Sequence, residues 1–450
     1  MLKGSLTGNT LLVTDDGLIA AKDLTNSHRL LGKQGFINVK RITHRYLDLD
    51  EIVYTITANG SSISVTGNHQ LFIYRPVPCS RDKSRPCKPG KYHSREHECW
   101  FGTNKCRYGF RSMWIPADNL TIDDYVGMFI VKSGKKDILI DSAKYGSTCS
   151  DRRRFRYRNI NEERIKVWNY LDRNGAENET RDTLSKKLSI NRNVTHSVLS
   201  QYRKGVNHSS RYISITGLDL NMFSYMVGQY VGDGSVTGTC IEITHNHTES
   251  KEYNAIIKHI VDKIFNTEVH LNIGLECSWE RTRFSHTVLS QWFKTEIGNS
   301  SYTKKLPAYI WTTPLTTRLS LISGIIDSDG SYSRRPHDGV SICLKNQYLV
   351  KQIQSLLATC GIIASYRAKN DGLASVYISN SQCNTFTDYA MKLKKYVRHN
   401  QYNSHNMFTH QGMMWRKITN ISTVEYTKQV YGVILEKDTH GFVADTIIIR

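Results

Sequence analysis

Two stretches of this chain repeat one pattern, and that repeat constrains the fold more than any other feature. Residues 222–234 read MFSYMVGQYVGDG and residues 319–330 read LSLISGIIDSDG. Each is an apolar run of helical length that ends in a small residue, Asp and Gly. Small residues stand four apart in both, Gly228 with Gly232 and Gly324 with Ser328. Such positions lie one turn apart on the same helix face, where two helix backbones can approach closely. The spacing predicts two helices packed as the seam between related halves of one domain.

The aspartates that close these helices, Asp233 and Asp329, face the negative end of a helix dipole, which disfavours a carboxylate. Helix packing that brings them together makes them repel unless a cation lies between. A hard divalent ion, Mg2+ or Mn2+, fits such a pair and would polarise a phosphate during phosphodiester hydrolysis. Gly234 and Gly330 are then expected as C-caps. The bland alternative is two unrelated buried helices that each end in an Asp-Gly turn.

Charge points to the same class of partner. Sixty Lys+Arg against 40 Asp+Glu give a net charge of +20, so a polyanion is expected. Nucleic acid is favoured over a lipid surface, because the excess is spread along the chain and mixed with 25 Tyr, 13 Phe and 7 Trp. The chain has no apolar run long enough to span a membrane, and its first residues lack a signal-peptide core, so no membrane association and an intracellular location are expected. Ten cysteines in 450 residues are too few for a disulfide scaffold. That length predicts two or three domains.

Short β-like runs fill residues 1–131: LLV (11–13), GFINVKRI (35–42), EIVYTIT (51–57), SSISV (61–65) and QLFIY (70–74), separated by turns such as Asp16-Gly17 and Asn59-Gly60. A matching tail, residues 416–450, carries STVEYT, VYGVIL and GFVADTIII. The pattern predicts one β domain whose halves are separated by inserted sequence.

Two basic segments interrupt it. Residues 75–111 hold ten Lys/Arg together with Cys79, Cys87, Cys99 and Cys106, and with His93 and His97. No Cys-x-x-Cys pair occurs, so a structural Zn2+ held by four cysteines, or by three and one histidine, stands beside a basic loop with incidental cysteines. Residues 132–215 form a basic helical linker, opened by a run containing Arg152, Arg153 and Arg154. Within it, residues 179–205 show two short apolar-periodic helices joined by a polar turn, the layout of a helix-turn-helix. Its second helix, about residues 192–203, would present Asn193, Thr195, His196, Ser200 and Gln201 to a groove, flanked by Arg192, Arg203 and Lys204. An ordinary helical hairpin is the alternative.

Both repeated segments resemble the LAGLIDADG signature of homing endonucleases, ISGIIDSDG (322–330) more closely than MVGQYVGDG (226–234). The remainder resembles an intein that carries such an endonuclease. GNTLLVTDDG (8–17) is similar to the first splicing block, and Thr66, Asn68 and His69 match a Thr-x-x-His block. VYGVILEKDTHGFVADTIII (430–449) is similar to the last blocks, with His440 at a matching position. The resemblance implies a multidomain protein: an all-β Hint horseshoe split by an α/β LAGLIDADG endonuclease domain at residues 216–415 with two pseudo-symmetric halves. It also implies metal ligation at Asp233 and Asp329, with Gly232 and Ser328 beside them. Two active-site lysines are implied, best matched by Lys304 in KKLP and by Lys394 or Lys395 in KLKKY. Such a lysine neutralises charge developing on a phosphate or holds the attacking water.

The splicing residues depart from the intein pattern. The first block aligns Gly4 or Ser5 with the nucleophile, and Arg450 stands where a terminal Asn belongs, so autoprocessing is expected to be inactive. Either splicing has been lost, as in a free-standing relative such as the mating-type switching endonuclease, or the ends have been trimmed and mutated to prevent it. The expected activity is a metal-dependent double-strand break in a long asymmetric DNA site, made by a monomer, in the nucleus if the host is eukaryotic. A non-cleaving nucleic-acid-binding regulator, or an RNA maturase of the same family, is the alternative.

Overall fold

The computed structural model describes residues 4–58, 60–78, 92–94, 97–98, 108–145, 163–164, 166–171, 173–176, 178–203, 212–246, 250–265, 269–273, 279–333, 339–369, 372–386, 407–436 and 441–450. Arg152, Arg153, Arg154, Lys204, Lys394, Lys395, His440, Cys79, Cys87, Cys99 and Cys106 lie outside these residues. Among the described residues no helix is long and apolar enough to cross a membrane.

Strands from both ends of the chain form one antiparallel system of 17 strands. Alternation builds it: Val53–Ala58 and Ser61–Thr66 turn Ile56, Ala58, Ile63 and Val65 inward and leave polar residues between them. Gly60, with φ of +86°, closes this hairpin. A side chain there would also strike the backbone of Ser365, 2.7 Å from its Cα.

The C-terminal strands complete the sheet. Val430–Leu435 pairs with both Leu6–Thr7 and Gly35–Arg45, and Met413–Val424 pairs with Tyr125–Phe129 and Val53–Ala58. Ile449 lies opposite Leu71. Leu12, Leu30, Ile63, Leu71, Val126 and Ile447 share the resulting core. Buried among these strands, Arg416 donates to Ser61 Oγ at 2.8 Å and to the Thr446 carbonyl, and burial pushes its guanidinium down to about 10.

Between the β segments, one order of elements occurs twice. The first repeat runs Gly217–Asp233 (helix), Gly234–Thr237, Cys240–Asn246, Ser250–Phe265 (helix), Val269–Ile273 and Trp279–Ser285. The second runs Leu315–Asp329 (helix), Gly330–Ser333, Gly339–Leu344, Gln347–Thr359 (helix), Ala364–Ala368 and Ala374–Ser379. Each forms its own four-stranded sheet, in which the first strand pairs with the second, the second with the fourth, and the fourth with the third. Each motif helix passes straight into a strand. Neither Gly234 nor Gly330 takes the left-handed conformation expected of a C-cap; Gly330 has φ of −71°. Glycine is needed at 330 for another reason, since a Cβ there would stand 2.3 Å from the Ile326 carbonyl oxygen.

The chain forms two compact units. One comprises Met1–Lys135, Val227–Gly232 and Ser301–Arg450, and the other Lys136–Met226 and Asp233–Ser300. The first unit joins the β system to the second repeat through buried polar contacts. Arg318, fully buried in the second motif helix, donates to Thr359 Oγ1 at 2.6 Å and to the Val131 carbonyl. Gln354 Nε2 donates to the Gly60 and Ala364 carbonyls, both at 2.9 Å. The segment expected as one endonuclease domain, residues 216–415, therefore contributes to both units.

In the second unit, Arg181–Leu188 and Arg192–Arg203 are helices that pack on Val167, Trp168 and Leu171 through Leu184, Val194 and Val198. The first repeat has its own core, where Phe223 meets Phe265 and Trp292.

Candidate active site

The two motif helices touch in the first unit, and glycine makes the approach possible. A Cβ on Gly228 would lie 2.0 Å from the Leu321 carbonyl oxygen and 3.0 Å from Gly324 Cα. One turn later, a Cβ on Gly232 would lie 2.0 Å from Ser328 Oγ and 2.5 Å from Asp329 Oδ2. The small-residue faces of the sequence pattern thus meet, and the second contact sets the Asp329 carboxylate against the backbone at the end of the other helix. Asp329 is half-buried. Ser328 Oγ donates to the Ile325 carbonyl at 3.1 Å, so it offers a cation only its oxygen lone pairs.

These groups suit a hard cation. Carboxylate and hydroxyl oxygens favour Mg2+ or Mn2+ over softer metals, and the tight cradle at Gly232 brings Ser328 Oγ and Asp329 Oδ2 together. Among the described residues no cluster of three or more His, Cys, Asp or Glu side chains has metal-binding geometry, so phosphate or water oxygens would have to complete the coordination shell. Asp233, the last residue of the first motif helix, is exposed.

Lys304 is placed differently from a solvated catalytic lysine. It is only 4% exposed. Its ammonium donates to the carbonyls of Tyr230 and Gly232, each at 2.8 Å, and lies 5.1 Å from the centre of the Tyr230 ring. The last carbonyls of a helix have no intrahelical donor, and a cation there also meets the negative end of the dipole. Burial pushes the Tyr230 phenol up, so it stays neutral beside the ammonium.

Sequence periodicity did not single out the outward faces of the repeat sheets. In the first repeat Arg281 and Arg283 point away from the buried Glu280, Thr282 and Phe284, and both pair with Glu242, Arg283 at 2.6 Å. The signal was available in the strand Trp279–Ser285, WERTRFS, which places arginine at alternate positions. The second sheet carries Ser341, Tyr377 and Arg367 on the corresponding face.

The helical segment corrects one expected contact and gives another an internal partner. Thr195 is buried and donates to the carbonyls of Arg181 and Arg192. Arg203 donates to the carbonyls of Ala176 and Glu179. Both hold the helices together, because apolar periodicity cannot tell which polar residues close a short helical turn. Asn193 and His196 are exposed, and Arg192 pairs with Asp182 at 2.5 Å. In the basic insertion, Arg75 is likewise structural, making a bidentate pair with the fully buried Asp124.

A second cluster forms around Ser5. The Ser5 N–H donates to Thr66 Oγ1 at 2.8 Å, the Thr66 N–H donates to the Ser5 carbonyl at 3.0 Å, and Thr66 Oγ1 donates to Asn68 Oδ1 at 2.8 Å. His69 is buried directly on Gly4, where a Cβ would lie 2.5 Å from its Nδ1. Neither ring nitrogen of His69 has a hydrogen-bond partner of normal geometry. The Gly4 backbone favours the charged ring, but burial outweighs it and pushes His69 down to about 4.

That shift makes a pH prediction. A histidine with a folded value below its ordinary 6.5 contributes its full stability above about pH 6.5, and that contribution is lost as pH falls towards 4, by roughly 3 kcal/mol in all. Asp445, which burial pushes up to about 7, works in the opposite direction. The test is therefore a difference: His69→Gln should lose less stability than the parent protein between about pH 7 and about pH 4.5 in urea unfolding. Equal losses would mean that His69 is protonated in the folded state.

Comparison with known proteins places the second repeat. A family model described as a LAGLIDADG-like domain matches residues 316–390. Over 146 residues, 31% of its length, the chain is 25% identical to the glutamine–fructose-6-phosphate aminotransferase (isomerizing) of Methanocaldococcus jannaschii, and the match spans only 13% of that protein. Among solved structures, a mesophilic variant of the homing endonuclease I-DmoI aligns with 39% of this chain and 98% of its own, at 14% identity and a TM-score of 0.32. I-DmoI in complex with DNA and Mn aligns with 41% of this chain and 99% of its own, at 14% identity and a TM-score of 0.31. The N-terminal LAGLIDADG domain of DUF199/WhiA aligns with 40% and 88%, at 14% identity and a TM-score of 0.29. The stretch with a family match is thus the second motif helix, Asp329 and the sheet that follows: residues 316–390 match the LAGLIDADG-like domain.

Proposed function

We propose that the protein is a site-specific, divalent-metal-dependent DNA endonuclease. The observation that carries this is the seam at Gly232, where the carboxylate of Asp329, which lies inside the stretch that matches a LAGLIDADG-like domain, is set against the end of the first motif helix. Asp329 at this seam is a metal-holding carboxylate, and the repeat of the motif assigns Asp233 the same role. A bound Mg2+ or Mn2+ would supply charge stabilisation to the phosphate and its attacking and leaving oxygens. The chain's own residues do the rest. Arg281 and Arg283 on the sheet face bind backbone phosphates, and the seam fixes Asp329 so that little reorganisation accompanies the reaction.

With two motif helices in one chain, a monomer suffices for a long asymmetric site, and DNA as substrate implies an intracellular, in eukaryotes nuclear, protein. Incubation with a random DNA library and Mg2+, followed by sequencing of the new ends, tests this. One recurrent cut sequence is expected. Tight duplex binding without new ends would favour the non-cleaving regulator, and preference for structured RNA the maturase.

The two-helix segment at Arg181–Leu188 and Arg192–Arg203 extends the DNA contact through Arg192, Asn193 and His196. Replacing Arg192 by Ala should weaken duplex binding and flatten the log-log salt dependence by about one unit of slope. An unchanged slope would make the segment a helical hairpin without a DNA role.

The terminal β strands form an intein-like fold in this reading, and the cluster at Ser5 is the remnant of its autoprocessing site. Thr66 holds the Ser5 amide and His69 covers Gly4, so the Gly4–Ser5 bond is the one they address, with the Ser5 hydroxyl as the nucleophile. The parent protein should release nothing in hydroxylamine, read by intact mass; release of residues 1–4 that Ser5→Ala abolishes would mean that the first step survives.

A further inference from the structure

The position of Lys304 connects two features that the endonuclease proposal leaves separate, the end of the first motif helix and the cation it would hold. Lys304 lies in an extended segment whose backbone is fixed to the Gln347–Thr359 helix: its own carbonyl accepts from Asn346 Nδ2 at 2.7 Å, and the Leu306 N–H donates to Gln352 Oε1 at 2.9 Å. The side chain is thus anchored at its base and buried along its length. Its ammonium donates to the carbonyls of Tyr230 and Gly232. Gly232 is also the residue whose Cα lies in the cradle formed by Ser328 and Asp329. A divalent ion that took the Gly232 carbonyl as a ligand would meet a positive charge already hydrogen-bonded to that oxygen, in surroundings that screen charge less than water does.

We propose that Lys304 is a positioning residue that acts as the resident cation of this helix end, holding the Gly232 carbonyl in the DNA-free protein and making divalent metal binding conditional on DNA. This rests on the metal-dependent endonuclease proposed above. Without DNA the ammonium satisfies the helix-end carbonyls and opposes a second cation nearby. With DNA, phosphate charge offsets both cations, and the metal is admitted only where substrate is present. The arrangement limits metal loading in the absence of DNA while keeping the helix end ordered.

The test reads metal binding without any cleavage. Free Mn2+ is followed by electron paramagnetic resonance during titration of the full-length, DNA-free protein, its Lys304→Met, Lys304→Gln and Lys304→Arg variants, and Asp329→Asn. Lys304→Met and Lys304→Gln should bind Mn2+ at least about tenfold more tightly than the parent, because the opposing charge is gone, and Lys304→Arg should bind like the parent. Circular dichroism identifies the variants that fold; Lys304→Gln keeps a donor for a helix-end carbonyl where Lys304→Met has none. Mn2+ binding that depends on Asp329 but is unchanged or weaker in the neutral, folded variants would overturn the inference and leave Lys304 as a helix cap. Binding that ignores Asp329 in every protein would overturn the metal-dependent endonuclease reading as well.

Discussion

Asp329→Asn should reduce DNA cleavage by about three orders of magnitude while leaving duplex affinity intact or slightly higher. The substitution keeps the shape of a side chain wedged against Gly232 and removes one negative charge. A metal held largely by carboxylates is then lost or misplaced, and several kcal/mol of transition-state stabilisation go with it. Affinity survives because a carboxylate near DNA repels phosphates, so its neutralisation does not weaken binding. Asp233→Asn should behave in the same way. Gel-shift affinity in Ca2+ and nicking in Mg2+, measured on one cut sequence, separate the two effects. Loss of affinity together with cleavage would make the aspartates structural helix ends, and full cleavage by either variant would remove them from the mechanism.

Gly228→Val should destabilise the first unit by about 3 kcal/mol or more, close to what a marginally stable unit can tolerate. The nearest obstacle to a Cβ is the backbone carbonyl of Leu321 at 2.0 Å, with Gly324 Cα behind it. Neither is the end of a flexible side chain, so relief requires the helices to move apart and gives up the contact around Asp329. Gly238→Asn is the control. Gly238 has φ of +61° and open space around it, with nothing within 4 Å of where a Cβ would stand, and asparagine tolerates that conformation. Urea unfolding should show a lower midpoint for Gly228→Val and little change for Gly238→Asn. Parent-like stability in Gly228→Val would mean that the helix seam is loosely packed.

Residue pattern alone carried much of the architecture. The four-residue spacing of Gly228 with Gly232 and of Gly324 with Ser328 marked the faces that meet, because helical periodicity is a local property of the chain. Alternation in Val53–Ala58 and Ser61–Thr66 marked strands for the same reason. The Thr66 to His69 spacing was legible because one tight turn brings those residues to Ser5 and Gly4.

What only the tertiary structure decided was the partner of each polar group. Lys304 read as an active-site lysine, and only the fold shows that its ammonium meets the end of a helix more than seventy residues earlier in the chain. Thr195 read as a groove contact and Arg203 as a basic residue flanking it, yet Thr195 bonds the Arg181 and Arg192 carbonyls and Arg203 those of Ala176 and Glu179, and Gly330 read as a C-cap, yet it is needed for clearance from Ile326. Arg318 and Gln354 carried no signal at all, although they join the second repeat to the β system. The physical reason is common to these cases. Periodicity reports which side of an element is apolar, whereas the energy of a buried donor or charge depends on the acceptor it meets across the fold, and that acceptor lies far away in sequence.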